Sequence, residues 1–178
     1  MSTPFTQREL RDAFGSFATG VTVITAVRSD REPIGITANS FTSVSLDPPL
    51  LLWCLAKTSS NIEVFADGAP FAVHVLAHDQ RDLAMHFARR GRAKFEIDRH
   101  WRDNPHPPMI ADALCRFDCR VHATHPTGDH LIVVGEVIAL TRHAGAPLTF
   151  HAGHFGAIHH DRGGGHIDPW GGLEGEWI

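Results

Sequence analysis

With 178 residues, 43% of them hydrophobic, the chain suits one domain with a sizeable core and is too short for two comfortable ones. A net charge of -4, with Lys and Arg scattered and no basic stripe, argues against nucleic acid as a partner. The longest apolar run, LLLWCLA at 50–56, is far short of the ~20 residues of a membrane span; with no signal-peptide pattern in MSTPFTQREL, a cytoplasmic protein off the membrane is expected.

In chain order, Thr6 with Glu9 three residues on is a capping box, and Leu10, Phe14 and Phe17 share a face, which predicts a short amphipathic helix ending by Gly20. VTVITAV at 21–27 and IGITANSFTSVSL at 34–46 flank turn chemistry and read as a hairpin of two extended strands. Asp47-Pro48-Pro49 is expected to interrupt pairing, because proline lacks the N–H, before a buried third strand at 50–55.

Ser60 with Glu63 reads as a second capping box, opening a helix that stops near Gly68. FAVHVLA at 71–77 is a fourth strand, and DQRDLAMHFARRG at 79–91 is a helix with Asp79 as N-cap, Leu83 and Phe87 inward and Gly91 at its end. A Pro- and His-containing loop fills residues 92–112. ALCRFDCRVHA at 113–123 alternates, with Cys115, Phe117, Cys119, Val121 and Ala123 on one face and Arg116, Asp118, Arg120 and His122 on the other. THPTGDH turns the chain into the last long strand at 131–143. Six strands with two or three short peripheral helices predict a mainly β protein, a small closed antiparallel barrel over residues 1–158, followed by a glycine-rich tail at 159–178.

The three cysteines, Cys54, Cys115 and Cys119, lie in strand-like segments and read as buried thiols. His151 and His154 are three apart, but strand periodicity would put them on opposite faces, so no metal site is expected. The step from the third strand through Lys57, Ser59 and Ser60 into a helix reads either as a phosphate site or as a plain Ser cap. His130, after Gly128-Asp129 at a hairpin turn, is either a ligand contact or a solvated turn residue. Neither a nucleophile elbow nor a Walker loop occurs.

The strings FATGVTVIT, GITANSFTSVSLDPPLLLWCLAKTSSN, FAVHVLA, GDHLIVVGEV and PLTFHAGHFG, in this order over residues 8–158, resemble the short-chain flavin reductases, the reductase components of two-component flavin-dependent monooxygenases. The resemblance implies an FMN-binding split barrel assembled as a homodimer. It also implies the activity: NADH or NADPH reduces FMN or FAD, and reduced flavin passes to a monooxygenase. Thr37, Ala38, Asn39 and Ser40 would lie along the flavin ring and ribityl chain, with Ser43, Val44 and Ser45 closing that side. Ala56, Lys57, Ser59, Ser60 and Asn61 would hold the phosphate, and His74 would contact the flavin. His130, as a clamp, would face the nicotinamide together with Phe150, His151, Ala152 and Gly153.

Two motifs depart from the family pattern. His74 stands where Asn is common, and Phe150 and His154 stand where Tyr and a cation are common. An oxidase or oxygenase with tightly bound flavin, or a non-enzymatic flavin-binding protein of the same fold, is the alternative reading.

Overall fold

The computed structural model describes residues 4–89, 91, 94–95, 101–102 and 107–158; the tail and much of the 92–112 loop lie outside them. Helix α1 (Gln7–Gly15) begins as its sequence dictates. The Thr6 hydroxyl accepts from the Glu9 N–H, and the Glu9 carboxylate accepts from the Thr6 N–H at 2.7 Å, satisfying two otherwise unpaired donors. The helix stops at Gly15, short of Gly20, and leaves Phe14 and the following Phe17 70% and 77% exposed.

The strands are β1 (Thr19–Gly20), β2 (Thr22–Val27), β3 (Pro33–Ala38), β4 (Thr42–Leu46), β5 (Pro49–Ala56), β6 (Pro70–Val75), β7 (Trp101–Arg102), β8 (Met109–Ile110), β9 (Cys115–Thr127), β10 (His130–Arg142), β11 (Leu148–His151) and β12 (His154–Ala157). Seven of them form one antiparallel sheet in the order β3-β2-β6-β9-β10-β5-β4, and β1-β11-β12 form a second, smaller sheet. The single strand expected over 34–46 is therefore two, β3 and β4, at opposite edges of the main sheet, which has seven strands rather than six. Residues 39–41 are all that join them, and four Cα steps reach no more than ~14 Å. The sheet must curl until its edges are that close, giving a barrel bridged there by the chain rather than by a ladder.

The proline pair turns the chain instead of interrupting pairing. Asp47 and Pro48, joined by a cis peptide, form a two-residue turn in which Leu46 faces Pro49, the first residue of β5, where a missing N–H is tolerated. Likewise THPT continues β9 to Thr127, and only Gly128 and Asp129 make the turn into β10, with Gly128 at φ 52°.

The Ser60/Glu63 capping box does not form. Residues Ile62–Phe65 make a single 3-10 turn without a side-chain cap, and Phe65 drops into the barrel between Trp53 and Phe71, at ring-centroid distances of 4.9 and 6.0 Å. Helix α2 (Arg81–Ala88) is preceded by Gln80 rather than Asp79 at the N-cap position. Gln80 is drawn inward because its carbonyl oxygen accepts from the Ala77 N–H and its amide donates to Ala111 O. Phe87 points inward as expected; Leu83, expected beside it, is only half-buried, and Ala84 takes the fully buried place instead.

β2 is buried on both sides, which its continuous run of β-branched residues anticipates. Ile24 and Ala26 face the barrel interior with Leu51, Trp53, Phe71, Val73, Val121 and Val133. Val21 and Val23 join a second cluster with Leu76, Ala84, Phe87 and Leu148, which seats α2 and the small sheet against the barrel. The two buried threonines of β2 are satisfied: Thr22 donates to Ala38 O and Thr25 to Pro108 O, each at 2.7 Å. The alternation expected along β9 has one exception, Arg116, which is 8% exposed and pairs with Asp118 under the carbonyl of Pro107.

Candidate functional site

Five stretches of chain meet around an open cavity of about 520 Å3, within the ~300–1,000 Å3 of small-molecule sites. β3 and its link contribute Thr37, Ala38, Asn39 and Ser40, and the end of β5 contributes Cys54, Leu55 and Ala56. The loop that follows contributes Thr58, Ser59, Ser60 and Asn61. Phe87, Arg89, Gly91 and Lys94 enter from the end of α2 and beyond, and His130 from the start of β10.

The hydroxyl-rich stretch has a structural use beside any ligand role. Ser40 lies where the β4–β5 register would place it opposite Cys54, and its Oγ accepts from the Cys54 N–H at 2.9 Å, standing in for a ladder carbonyl where the edges separate. The Thr37 hydroxyl donates to Ala84 O at 2.7 Å and ties α2 to β3. In the loop after β5, Ser59 Oγ accepts from the Asn61 N–H at 3.2 Å, and Asn61 Oδ1 accepts from Arg28 Nη1 at 2.7 Å. With its oxygen thus engaged, the two N–H donors of the Asn61 amide meet no acceptor among the described residues and can serve a ligand.

The electrostatics favour an anion. Arg89 and Lys94 line the cavity, and among the described lining residues none is a carboxylate. Lys94 Nζ donates to Gly35 O at 2.9 Å and Phe87 O at 2.8 Å, and burial pulls its pKa below the usual lysine range. At the far wall His130 sits with Nδ1 2.7 Å from the Asp129 carboxylate, an interaction that holds the Asp129 carboxyl below its ordinary range. These features fit a phosphate-bearing flavin.

The remaining expected residues lie off the lining. Ser43, Val44 and Ser45 stand on edge strand β4. Lys57 turns away: its Nζ donates to Gly128 O at 2.7 Å and its N–H to Asp129 O at 2.9 Å, stapling the turn that carries His130. His74 is fully buried. Its Nδ1 lies 3.1 Å from Val23 O, a group that only accepts, so Nδ1 carries the hydrogen; desolvation, against that bond and with help from Arg116, lowers its pKa to about 3.

Phe150, His151, Ala152 and Gly153 belong to the small sheet. Phe150 stacks edge-on with Phe155 at 5.3 Å, and the Ala152 N–H donates to Gly15 O. His151 and His154 are direct cross-strand partners across a two-residue turn in which Ala152 and Gly153 take φ of 47° and 82°. They therefore share a face, contrary to the simple periodicity, because the chain reverses between them. No group of three or more metal-ligating side chains occurs among the described residues.

Sequence reasoning missed Arg89, Lys94 and Phe87 as cavity residues and Arg28 behind it. The signal was the basic run ARRGRAK after α2, which reads as solvated charge until the helix is docked on β3.

Comparison with known proteins places these features. A family model described as a flavin reductase like domain matches residues 14–159. The FMN reductase (NADH) SmoA of Agrobacterium fabrum is 49% identical over 150 residues, covering 84% of each chain. The reductase component of the flavin-dependent trigonelline monooxygenase of Acinetobacter baylyi is 46% identical over 146 residues, which are 82% of this chain but only 47% of that relative. The structure of the Streptomyces globisporus NADH:FAD oxidoreductase SgcE6, in complex with NAD and FAD fragments, superposes with a TM-score of 0.82 at 40% identity, covering 91% of this chain and 98% of that one.

Proposed function

The chain belongs to the flavin reductase-like family, and from that premise we propose that it is an NAD(P)H-dependent reductase of FMN or FAD that supplies reduced flavin to a separate monooxygenase component. The observation that carries the reading is the cavity wall: hydroxyls, an oriented amide and two cations without a carboxylate among the described lining residues.

Ser59, Ser60 and Asn61 receive the flavin phosphate, with Arg89 and Lys94 balancing its charge. Thr37, Ala38, Asn39 and Ser40 flank the ring and ribityl chain, and Phe87 supports that wall from below. His130, oriented by Asp129 and by the Lys57 staple beneath its turn, closes the side where the nicotinamide enters. The two cofactors supply the hydride chemistry between them, so the protein's part is to set stacking and distance. A side-chain nucleophile is not required.

A homodimer is part of the reading. Phe14 and Phe17 at α1, together with Ile138 and Leu140 at 57% and 62% exposure on β10, are large apolar groups that a second copy would cover. The three free cysteines agree with a reducing cytoplasm; no helix among the described residues is long and apolar enough to cross a membrane.

The test is to mix purified protein at catalytic concentration with NADH or NADPH and free FMN or FAD and follow nicotinamide absorbance. Turnover that depends on added flavin is expected. No consumption with any of the four pairs overturns the proposal.

A further inference from the structure

Behind the Ser60–Asn61 loop lies a second, smaller cavity of about 110 Å3. It shares Ser60, Asn61, Gly91 and Lys94 with the main cavity, so the two adjoin through the very groups assigned to the flavin phosphate. Its other wall is the β2–β3 hairpin, with Arg28, Glu32 and Gly35. Arg28 is half-buried and fixed from one side only: Nη1 donates to Asn61 Oδ1 at 2.7 Å and to Ser60 O at 3.4 Å. Its Nε and Nη2 make no hydrogen bond among the described residues, so an edge of the guanidinium fork is pre-oriented and still able to donate.

We propose that Arg28 and this side cavity take the second phosphate of a flavin dinucleotide, making the protein selective for FAD over FMN. The inference rests on the flavin reading of the main cavity. A phosphate ester in the Ser59–Asn61 loop can be extended where the cavity continues, and here it continues toward Arg28 and Lys94. Among the described lining residues, Arg28 and Lys94 are the cations and Glu32 the carboxylate, a balance that suits a further negative group, and the planar fork of Arg28 matches phosphate oxygens. Size limits the assignment. About 110 Å3 is well under the ~300 Å3 of a pocket enclosing a drug-sized ligand, so the phosphate enters and the adenosine stays at the mouth.

The experiment is a binding titration by flavin fluorescence, with no nicotinamide present, of riboflavin, FMN and FAD against wild type, Arg28→Lys and Arg28→Gln, plus steady-state KM for NADH. The expected result is FAD bound about tenfold more tightly than FMN by wild type, in line with one charge-assisted contact. Both variants should bring that ratio toward one by losing more FAD than FMN affinity, Arg28→Lys because it keeps the charge and loses the fork; the smaller loss of FMN is that of the prop under Asn61. Equal affinity of wild type for FMN and FAD, or an equal loss of both in the variants, overturns it; the latter makes Arg28 only a prop for Asn61. A variant effect confined to the KM for NADH assigns the diphosphate site to the nicotinamide dinucleotide and also overturns it. Failure of wild type to bind any flavin is a separate result that removes the reading of the main cavity and this inference with it.

Discussion

Gly35 on β3 lies beneath the ring of Phe87 on α2, so close that a Cβ at Gly35 would stand 2.3 Å from the ring's Cδ1 and Cε1. The helix can approach the strand to that distance only where no side chain intervenes, and the approach brings Phe87, Arg89 and Lys94 to the cavity. Gly35→Ala should therefore act twice: on stability, by about 1–3 kcal/mol of overpacking, and on flavin affinity, as Phe87 is pushed off its seat. Urea denaturation and a flavin titration read the two effects. A destabilised variant with unaltered flavin binding would show that α2 moves without disturbing the site.

The Lys57 staple leads to an unusual expectation for a lysine in a phosphate-site motif. With Nζ on Gly128 O, Lys57→Met should loosen the turn that presents His130 and raise the KM for NADH roughly several-fold, the scale of one partly exposed charged hydrogen bond. FMN affinity should stay within about twofold by the same argument. A selective loss of FMN over riboflavin binding would instead return Lys57 to the phosphate.

His130→Ala should lower kcat/KM for NADH by about 10- to 100-fold, the range for losing a group that sets reactant geometry, with flavin affinity little changed. Asp129→Asn should give a smaller effect in the same direction, because it removes the charge that orients the imidazole and leaves the ring in place. Wild-type rates in His130→Ala would take the residue out of the site.

His74 makes stability depend on acidity. In the unfolded chain it takes up a proton near 6.5, whereas in the fold it stays neutral down to about 3 because protonation would bury a charge. Between those values the unfolded state holds more protons, so this stabilisation is complete above the unfolded value and is lost as pH falls from 6.5 toward 3, by up to ~1.4 kcal/mol per unit. Denaturation at stepped pH should show His74→Asn with a shallower slope than wild type over that window, since the amide cannot titrate while still able to donate to Val23 O. Parallel slopes would place the acid sensitivity elsewhere.

Much of the fold was legible because it depends on local chemistry. The Thr6/Glu9 box, the run of β-branched residues in β2 and the Gly128 turn each need only near neighbours, and each forms where the sequence places it. The errors share a cause. Residues 34–46 look like one strand because nothing local distinguishes a strand that continues from one whose second half leaves to pair at the other edge of a curled sheet. Ser60 with Glu63 looks like a helix start because the pull of Phe65 into the barrel is exerted by Trp53 and Phe71, neither of them a near neighbour along the chain. His151 and His154 share a face because a two-residue reversal overrides strand period.

For the site, the sequence by itself determined which groups are present: the hydroxyls of 37–45, the Ser59-Ser60-Asn61 run and His130, all recognisable as motifs since their order along the chain is part of the chemistry. Only the tertiary structure decided which of them line the cavity and what else each of them holds. It spent Ser40 and Thr37 on holding the barrel edge and α2, turned Lys57 to the His130 turn and sealed His74 in the core. It also brought in Arg28, Arg89 and Lys94 from segments with no motif of their own. The reason is physical: a side chain's identity is written locally, but its direction and its free hydrogen-bonding capacity depend on what packs against it from strands distant in sequence.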